Sequence, residues 1–167
     1  MAEAKTLQRA HADQRQGKSA STQAGEFVRE EMEHIREGKH GARSAKQAIA
    51  IGLSKARRAG VKLPPPKRGR VSEATRRAAA RDEAKGRHPG RKVSAKRSRA
   101  TSGALKREGK SAASKSSLAK QARSAARRRT ASERSAAARR AVRTKGAAER
   151  SAAARKAART RARRKHG

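Results

Sequence analysis

The stretch Glu26-Phe-Val-Arg-Glu-Glu-Met-Glu-His-Ile-Arg-Glu37 decides the expected fold, because it lies in the part of the chain where most large apolar side chains cluster. Val28, Met32 and Ile35 stand at positions i, i+4 and i+7, with Phe27 beside them. This spacing places them on one face of an α-helix. The five glutamates among these twelve residues favour its first turns, near the positive end of the helix dipole. The stretch therefore predicts an amphipathic, acidic helix.

Capping residues bound this helix and open a second one. Ser21 or Thr22 can cap the start of the acidic helix, and Gly38 can end it in the left-handed conformation. After a short loop, Ser44 and Gln47 have the spacing of a capping box, in which each residue satisfies a backbone amide of the other. The sequence therefore predicts two helices joined by a short connection.

The second helix has an apolar face of mostly small side chains, at Ala45, Ala48, Ile49, Gly52, Leu53 and Ala56. Arg57 and Arg58 suit its negative C-terminal end, and Gly60 suits the left-handed position beyond it. The two facing stripes predict a helical hairpin over residues 21–60. Its core would be Phe27, Val28, Met32, Ile35, Ile49 and Leu53. Because so small a core is marginally stable alone, we expect a homodimer or a protein partner through residues 21–60.

Two parts of the chain resemble known groups of proteins. Residues 21–32 and 46–60 resemble a small bacterial family of unknown function, some of whose members carry a plasmid-stabilisation label. Lys46-Gln-Ala-Ile-Ala-Ile-Gly-Leu-Ser-Lys-Ala-Arg57 matches its Lys-Gln-Ala-Ile-Ala-Ile-(Gly/Ala)-Leu-Ser-x-Ala-Arg signature. That resemblance implies no activity. The basic tail, residues 67–167, is similar in composition to the Ala/Lys/Arg-rich arms of linker-histone-like bacterial nucleoid proteins, which adds little to what its charge implies.

The composition favours an anionic partner and disfavours a large core. The 167 residues include 48 Lys and Arg against 13 Asp and Glu, a formal charge of +35, and Phe27 is the only aromatic residue. So basic a chain points to nucleic acid first, an anionic membrane second and an acidic protein third. The chain has no cysteine and no apolar run of membrane-spanning length. We expect a cytoplasmic, nucleoid-associated protein.

Three further segments flank the expected hairpin. Residues 1–20 read as a flexible N-terminal arm, residues 61–66 as a proline-rich spacer and residues 67–167 as a basic arm. The basic arm holds 35 of the 48 basic residues, six acids and five large apolar side chains. High charge with little apolar surface is typical of disorder. The predicted fold class is therefore mostly α and disordered, with a small helical hairpin followed by a long basic, helix-capable, low-complexity arm.

A unit of 16 residues recurs in the basic arm, where Ser135-Ala-Ala-Ala-Arg-Arg-Ala-Val-Arg-Thr-Lys145 is followed by Ser151-Ala-Ala-Ala-Arg-Lys-Ala-Ala-Arg-Thr-Arg161. Sixteen residues of one straight helix rotate the second unit by about 160° from the first. The basic groups would then face nearly opposite ways, which suits bridging of two duplexes or bending round one. The alternative is a disordered low-complexity tail whose repeat has no geometric role.

The basic arm supplies the candidate nucleic-acid-binding residues. It has no aromatic side chain on which bases could stack, so phosphate neutralisation is the expected mode of binding. Arginine outnumbers lysine there by 24 to 11, which favours bidentate phosphate contacts. The candidates are Lys67, Arg68, Arg70, Arg76, Arg77, Arg81, Arg123, Arg127, Arg128, Arg129, Arg139, Arg140, Arg143, Lys145, Arg155, Lys156, Arg159, Arg161, Arg163 and Arg164.

A short motif at the start of the arm, Pro66-Lys-Arg-Gly-Arg70, resembles the core of an AT-hook. In such a hook, Arg-Gly-Arg lies along a narrow minor groove, where the negative potential attracts arginine. No proline follows Arg70, and any arginine-rich tail contains some Arg-Gly-Arg. The motif is therefore also consistent with simple phosphate binding.

Catalytic and metal-binding chemistry is not predicted. The five histidines are scattered without metal-ligand spacing, and no cysteine can complete a site. We expect no enzyme activity, no cofactor and no metal. The expected function is that of a histone-like nucleoid protein that binds, coats and bridges duplex DNA without sequence specificity. The alternatives are a scaffold-binding protein for structured RNA, such as ribosomal RNA, and a DNA-condensing protein of a capsid lumen.

Overall fold

The structure, a computed structural model, describes residues 3–88, 94–144 and 146–165. Within these ranges the chain forms helices and no strand. The helices are α1 (Ala4–Arg15), α2 (Ala20–Glu37), α3 (Ala45–Arg58), α4 (Glu73–Arg87), α5 (Ala95–Lys106), the short 3-10 helix η1 (Ser111–Ala113), α6 (Lys115–Arg127), α7 (Ala131–Thr144) and α8 (Ala147–Lys165). The chain divides into unit 1 (Met1–Gln121) and unit 2 (Ala122–Gly167).

Helix α2 is the centre of unit 1, where α1 and α3 pack against it, α4 packs on α3, and η1 touches both α2 and α3. Its N-cap is Ser19, whose hydroxyl accepts a hydrogen bond from the Thr22 amide at 3.3 Å. The expected cap at Ser21 or Thr22 is therefore wrong by two to three residues. Gly38 ends α2 in the left-handed conformation, with φ 82°, as predicted.

Helix α3 has the ends that its sequence predicts. The Ser44 hydroxyl accepts a hydrogen bond from the Gln47 amide at 3.2 Å. The Gln47 side chain accepts one from the Arg43 amide rather than from Ser44, so the capping box is shifted by one residue on that side. Gly60 is left-handed beyond the helix end, with φ 91°. Local chemistry thus bounds this element.

Two apolar clusters form the core of unit 1. The first contains Met32, Ile35, Ala42, Ala48, Ala112 and Ala113, with Val28, Ile49 and Leu118 at its edge. The second contains Ala10, Ala24, Phe27, Ala56 and Val61, with Leu7, Leu53 and Leu63 among the residues at its edge. Of the six expected core residues, Phe27, Met32 and Ile35 are buried, and Val28, Ile49 and Leu53 are partly buried. Alanine supplies much of the remainder, including positions outside residues 21–60.

The predicted fold class is wrong, because helices α4 to α8 occupy the region expected as a long disordered arm. The prediction counted large apolar side chains and found too few. The structure instead packs backbones closely, through alanine and glycine. A Cβ atom at Gly86 of α4 would overlap the carbonyl oxygen of Arg57 in α3, and one at Gly41 would overlap the carbonyl of Glu108. Small residues let tail segments dock where large ones are lacking.

Residues outside the expected hairpin complete unit 1 at both ends. Helix α1, expected as part of a flexible arm, packs on α2 and buries Thr6 and Ala10. The loop after α2 is tied to the end of α5 and to the segment that follows it, since the amides of Gly41 and Ala42 donate to the carbonyls of Leu105 (2.8 Å) and Gly109 (3.1 Å). The hairpin is therefore part of a larger helical unit.

Unit 2 places the two 16-residue repeats on separate helices. Helix α7 ends at Thr144 and α8 begins at Ala147, so the repeats do not share one straight helix. The rotation of about 160° that was calculated for a continuous helix therefore does not describe this chain. Among the described residues, no helix is long and apolar enough to cross a membrane.

Candidate nucleic-acid interface

Unit 2 presents arginine on short, exposed, alanine-rich helices. Residues 122–167 contain 17 Lys and Arg against two Glu. On α7, Arg139, Arg140 and Arg143 lie within an arc of about 100° around the helix axis. On α8, an arc of the same width holds Arg155, Lys156, Arg159 and Arg163. All of these side chains are exposed to solvent. Each helix therefore carries its own basic face.

Several of these cations lack a counter-charge within the described part of the chain. Arg139 and Arg143 of α7, and Arg155 and Arg159 of α8, make no hydrogen bond or ion pair there through their side chains. Each pair is spaced i,i+4, where like charges repel each other across one helical turn. Placing phosphate oxygens between them would remove that repulsion. Binding of a polyanion would therefore stabilise both helices.

The ends of these helices are fixed by local hydrogen bonds. At the start of α7, the Thr130 hydroxyl accepts from the Glu133 amide at 3.2 Å, and the Glu133 carboxylate accepts from the Thr130 amide at 2.9 Å. This reciprocal pair is a capping box. At the start of α8, Arg150 donates through Nη1 to the Val142 carbonyl of α7 at 3.0 Å. Thus one of the acids of unit 2 caps a helix.

The remaining candidates of unit 2 lie in the same setting. Arg123 and Arg127 are exposed on α6, Arg128 and Arg129 follow it, and Arg161 and Arg163 are exposed on α8. Lys145 lies outside the described residues. For Arg164 the structure describes only its place in the backbone of α8.

The candidate phosphate-binding residues of unit 1 differ in whether they are already paired with a carboxylate. Arg76 of α4 is held by Glu73, with 2.7 Å between Nη2 and Oε1, and Arg77 approaches the same carboxylate at 3.7 Å. The hydrogen bond from Arg76 lowers the pKa of Glu73 and raises that of Arg76. Arg81 is exposed. An arginine already paired to a carboxylate is a weaker phosphate ligand, so α4 contributes fewer free cations than its sequence suggests.

The Arg-Gly-Arg motif forms a turn in this structure. Lys67 and Arg68 are exposed, Gly69 is left-handed with φ 77°, and the Arg70 amide donates to the Lys67 carbonyl at 3.2 Å. An AT-hook places this motif along the floor of the minor groove, so the turn would have to open first. The structure leaves the motif as exposed basic residues.

A second group of polar residues, which the sequence did not single out, is buried at the C-terminal end of α2. The Glu31 carboxylate lies 2.6 Å from Lys55 Nζ and 3.0 Å from His40 Nε2. Both Glu31 oxygens are buried, and neither makes a hydrogen bond with a described residue. They lie within ion-pair distance of Lys55 and His40. Glu30, also buried, lies 3.4 Å from Lys55. One lysine therefore faces two buried carboxylates.

His34 and Glu3 extend this group toward the surface. His34 Nε2 lies 2.7 Å from Glu3 Oε1, and Lys39 Nζ lies 3.1 Å from the same oxygen. The hydrogen bonds from His34 and Lys39 lower the pKa of Glu3 to about 2. The rings of His34 and His40 meet edge to face, with 6.0 Å between their centroids.

One atom each of Glu31, His34 and His40 could bind a metal ion together, since these atoms lie within 4.8 Å of one another. The description of the histidines as scattered is therefore wrong for His34 and His40. The usable signal was Glu31 and His34 at i,i+3 on one helix face, followed by His40 just beyond Gly38. No spacing rule shows that the loop folds back onto that face.

Comparison with known proteins supports one of the resemblances. Residues 15–68 match a family of unknown function, DUF6496, which confirms the expected relation to such a family. No curated protein and no solved structure matches the chain. The matched segment includes α2, α3 and the cluster of Glu31, His34 and His40, and it ends before α4. The part of the chain from α2 to α3 is thus similar to a family to which no function is attached.

Proposed function

We propose that the protein binds duplex DNA without sequence specificity, through phosphate contacts made mainly by α7 and α8. The observation that carries this proposal is the pair of exposed basic faces on these helices, with 17 cations against two acids in residues 122–167. Arg139, Arg143, Arg155 and Arg159, which pair with no carboxylate among the described residues, can form bidentate contacts with phosphate.

The binding follows from counterion release rather than base reading. Each phosphate that an arginine neutralises releases condensed cations, and this gain does not depend on sequence. Unit 2 has no aromatic side chain that could stack on unpaired bases. Neutralisation also relieves the repulsion within Arg139/Arg143 and Arg155/Arg159, so DNA should raise the thermal stability of α7 and α8.

Coating and bridging of duplexes extend the same proposal. Because α7 and α8 are separate helices, each with its own basic face, one chain has two short segments that can contact phosphates independently. The chain would then act as a histone-like, nucleoid-associated protein of the cytoplasm. The division of the repeats between two helices favours bridging. Bridging then does not depend on the rotation between repeats along one continuous helix.

Salt-dependent binding of the full chain to a short duplex tests the proposal. If about eight cations of α7 and α8 contact phosphates, the slope of log K against log salt should be near −7. Replacing Arg139, Arg143, Arg155 and Arg159 together with glutamine should make that slope shallower by about 3.6, in proportion to the four lost contacts.

A matched control separates a located interface from total charge. Replacing Lys5, Arg15, Lys46 and Arg58 with glutamine removes the same charge from exposed positions outside the candidate set. The control should keep the slope of the unmodified chain. Equal losses from both variants, or a preference for structured RNA in a competition at about 0.15 M salt, would contradict the proposal. Two duplexes of different sequence should bind alike.

A further inference from the structure

Glu31, His34 and His40 have no part in the proposed DNA binding, although the fold brings one ligand atom of each within 4.8 Å of the others. Glu31 and His34 lie one turn apart on α2, and His40 lies in the loop that follows. The side chains are 1%, 12% and 16% exposed, respectively. The cluster is therefore nearly closed to solvent, with its two imidazoles on the more open side.

The Glu31 carboxylate is the first observation that points to a cation site. Its two oxygens are buried, and neither has a hydrogen bond with a described residue. Burying an ionised carboxylate without hydrogen bonds is costly. Lys55 lies against Oε2 at 2.6 Å, which leaves Oε1 directed at His40 Nε2 at 3.0 Å. One oxygen is thus held by a lysine, and the other faces a ring nitrogen.

The orientation of His40 is the second sign. Its Nδ1 lies 3.0 Å from the carbonyl oxygen of Gly41, so Nδ1 carries the proton and donates it. Nε2 of a neutral ring then turns a lone pair toward the Glu31 oxygen, and two lone pairs at this distance repel. Either a proton on Nε2 or a metal ion between the two atoms removes the repulsion. Histidines that bind metals commonly donate their other N–H to a backbone carbonyl in this way.

The surrounding charges suit a divalent cation. Glu3, Glu30 and Glu31 face the cluster, and Lys39 and Lys55 oppose them. Lys39 also pairs with Glu37, at 3.0 Å. With neutral imidazoles, these four carboxylates outnumber the two lysines by two. Glu3 also contacts the His34 ring at 2.7 Å. A carboxylate beside an imidazole is the arrangement that orients histidines in metal sites.

We propose that Glu31, His34 and His40 form a binding site for a divalent transition metal ion of the zinc type. Two imidazoles and one carboxylate suit zinc, whereas magnesium and calcium prefer oxygen ligands alone. Ligand atoms on tetrahedral zinc lie about 3.3 Å apart. Glu31 Oε1 and His40 Nε2 are already 3.0 Å apart, and His34, whose ligand atom lies within 4.8 Å of theirs, needs to approach by at most about 1.5 Å. The fourth position would go to water, since Glu3 is already in contact with the His34 ring.

The metal would fasten the end of α2 to the loop that follows it. That loop carries Gly41 and Ala42, whose amides hold the end of α5 and the segment that follows it. Zinc binding would therefore stabilise unit 1 as a whole, since ligand binding to the folded state adds to its stability. This effect is independent of DNA.

Zinc titration of the tag-free full chain, after dialysis against a chelator, tests the site. Calorimetry should show one zinc ion bound per chain. Zinc at 100 times its Kd should raise the Tm of the protein by about 10 °C. His34→Gln and His40→Gln should each weaken binding by more than about 100-fold, because each removes one of the three protein ligands.

Two exposed histidines provide the matched control. His11→Gln and His88→Gln alter residues on the surface outside the cluster, and they should leave zinc binding unchanged. If His34→Gln or His40→Gln fails to fold, histidine NMR of the unmodified chain decides. Zinc should shift the His34 and His40 resonances and spare those of His11, His88 and His166. Binding by both variants as tightly as by the unmodified chain, equal shifts of all histidines, or no stoichiometric binding would overturn the proposal.

Discussion

Substitution of Gly86 with alanine tests the docking of α4 on α3, which is the part of the fold that the sequence did not predict. A Cβ atom at Gly86 would overlap the carbonyl oxygen of Arg57 and lie 3.1 Å from the Gly60 amide nitrogen. Both contacts are with backbone, which cannot rotate away as a flexible side chain can. The last turn of α4 must therefore move outward by more than 1 Å to reach ordinary contact distance.

The change in the free energy of unfolding caused by Gly86→Ala is the balance of two effects. Overpacking of this kind costs about 1–3 kcal/mol, whereas replacing glycine by alanine within a helix gains about 0.5–1 kcal/mol. Displacement of α4 also weakens the hydrogen bond from the Ser54 hydroxyl to Asp82, which is 2.6 Å long. We expect Gly86→Ala to lower the free energy of unfolding of unit 1 by about 1–2 kcal/mol.

Gly25→Ala is the matched control, because Gly25 lies inside α2 and a Cβ atom there would meet nothing within 4 Å. This change should stabilise the protein by about 0.5–1 kcal/mol. Urea denaturation of the full chain, followed by circular dichroism at the helical band, measures both variants. If Gly86→Ala stabilises the protein as much as Gly25→Ala does, α4 does not dock on α3 and the reasoning is wrong.

Three further predictions concern single side chains. Phe27→Ala should destabilise unit 1 by about 3–5 kcal/mol, because Phe27 is fully buried. Val142→Ala, at a position that is 52% exposed, should change stability by less than about 0.5 kcal/mol. Equal effects of the two changes in urea denaturation would contradict the placement of the core. The pKa of Glu3 is lowered from 4.5 to about 2, so its contribution is present above pH 4.5 and is lost as the pH falls toward 2; the Tm of Glu3→Gln should therefore fall less steeply over this window than that of the unmodified chain. Thr130→Ala should destabilise α7 by about 1 kcal/mol through loss of its cap, seen as an earlier loss of helical signal on heating, and an unchanged melting curve would remove the capping box from this account.

The sequence was sufficient to predict those features of the fold that neighbouring residues alone decide. Gly38 and Gly60 end α2 and α3 in the left-handed conformation, which glycine adopts without steric cost. Ser44 caps α3 with its own hydroxyl. The apolar spacing of Phe27, Met32 and Ile35 placed the buried face of α2 correctly. Each of these interactions spans at most about two helical turns.

The charge and composition of the chain bear on function in the same direct way. The basic residues of the repeats were chosen from composition alone, and those that the structure describes are exposed; their role in DNA binding stays a prediction. The pairing of Arg76 with Glu73 also follows from their i,i+3 spacing. The rotation calculated for one straight helix was wrong because the two repeats lie on separate helices, α7 ending at Thr144 and α8 beginning at Ala147.

The tertiary structure decided what depends on backbones that are distant in sequence. Gly86 against Arg57, and Gly41 against Glu108, allow close docking that a count of large apolar residues cannot foresee. The contact of Glu31 with His40 and Lys55 likewise needs the α2–α3 loop to fold back and α3 to lie alongside α2. Local propensity acts through the nearest turns of the chain, whereas buried contacts depend on how whole helices pack. For that reason the C-terminal ends of α2 and α3 and the cap of α3 could be predicted from sequence, but the docked tail and the glutamate–histidine cluster could not.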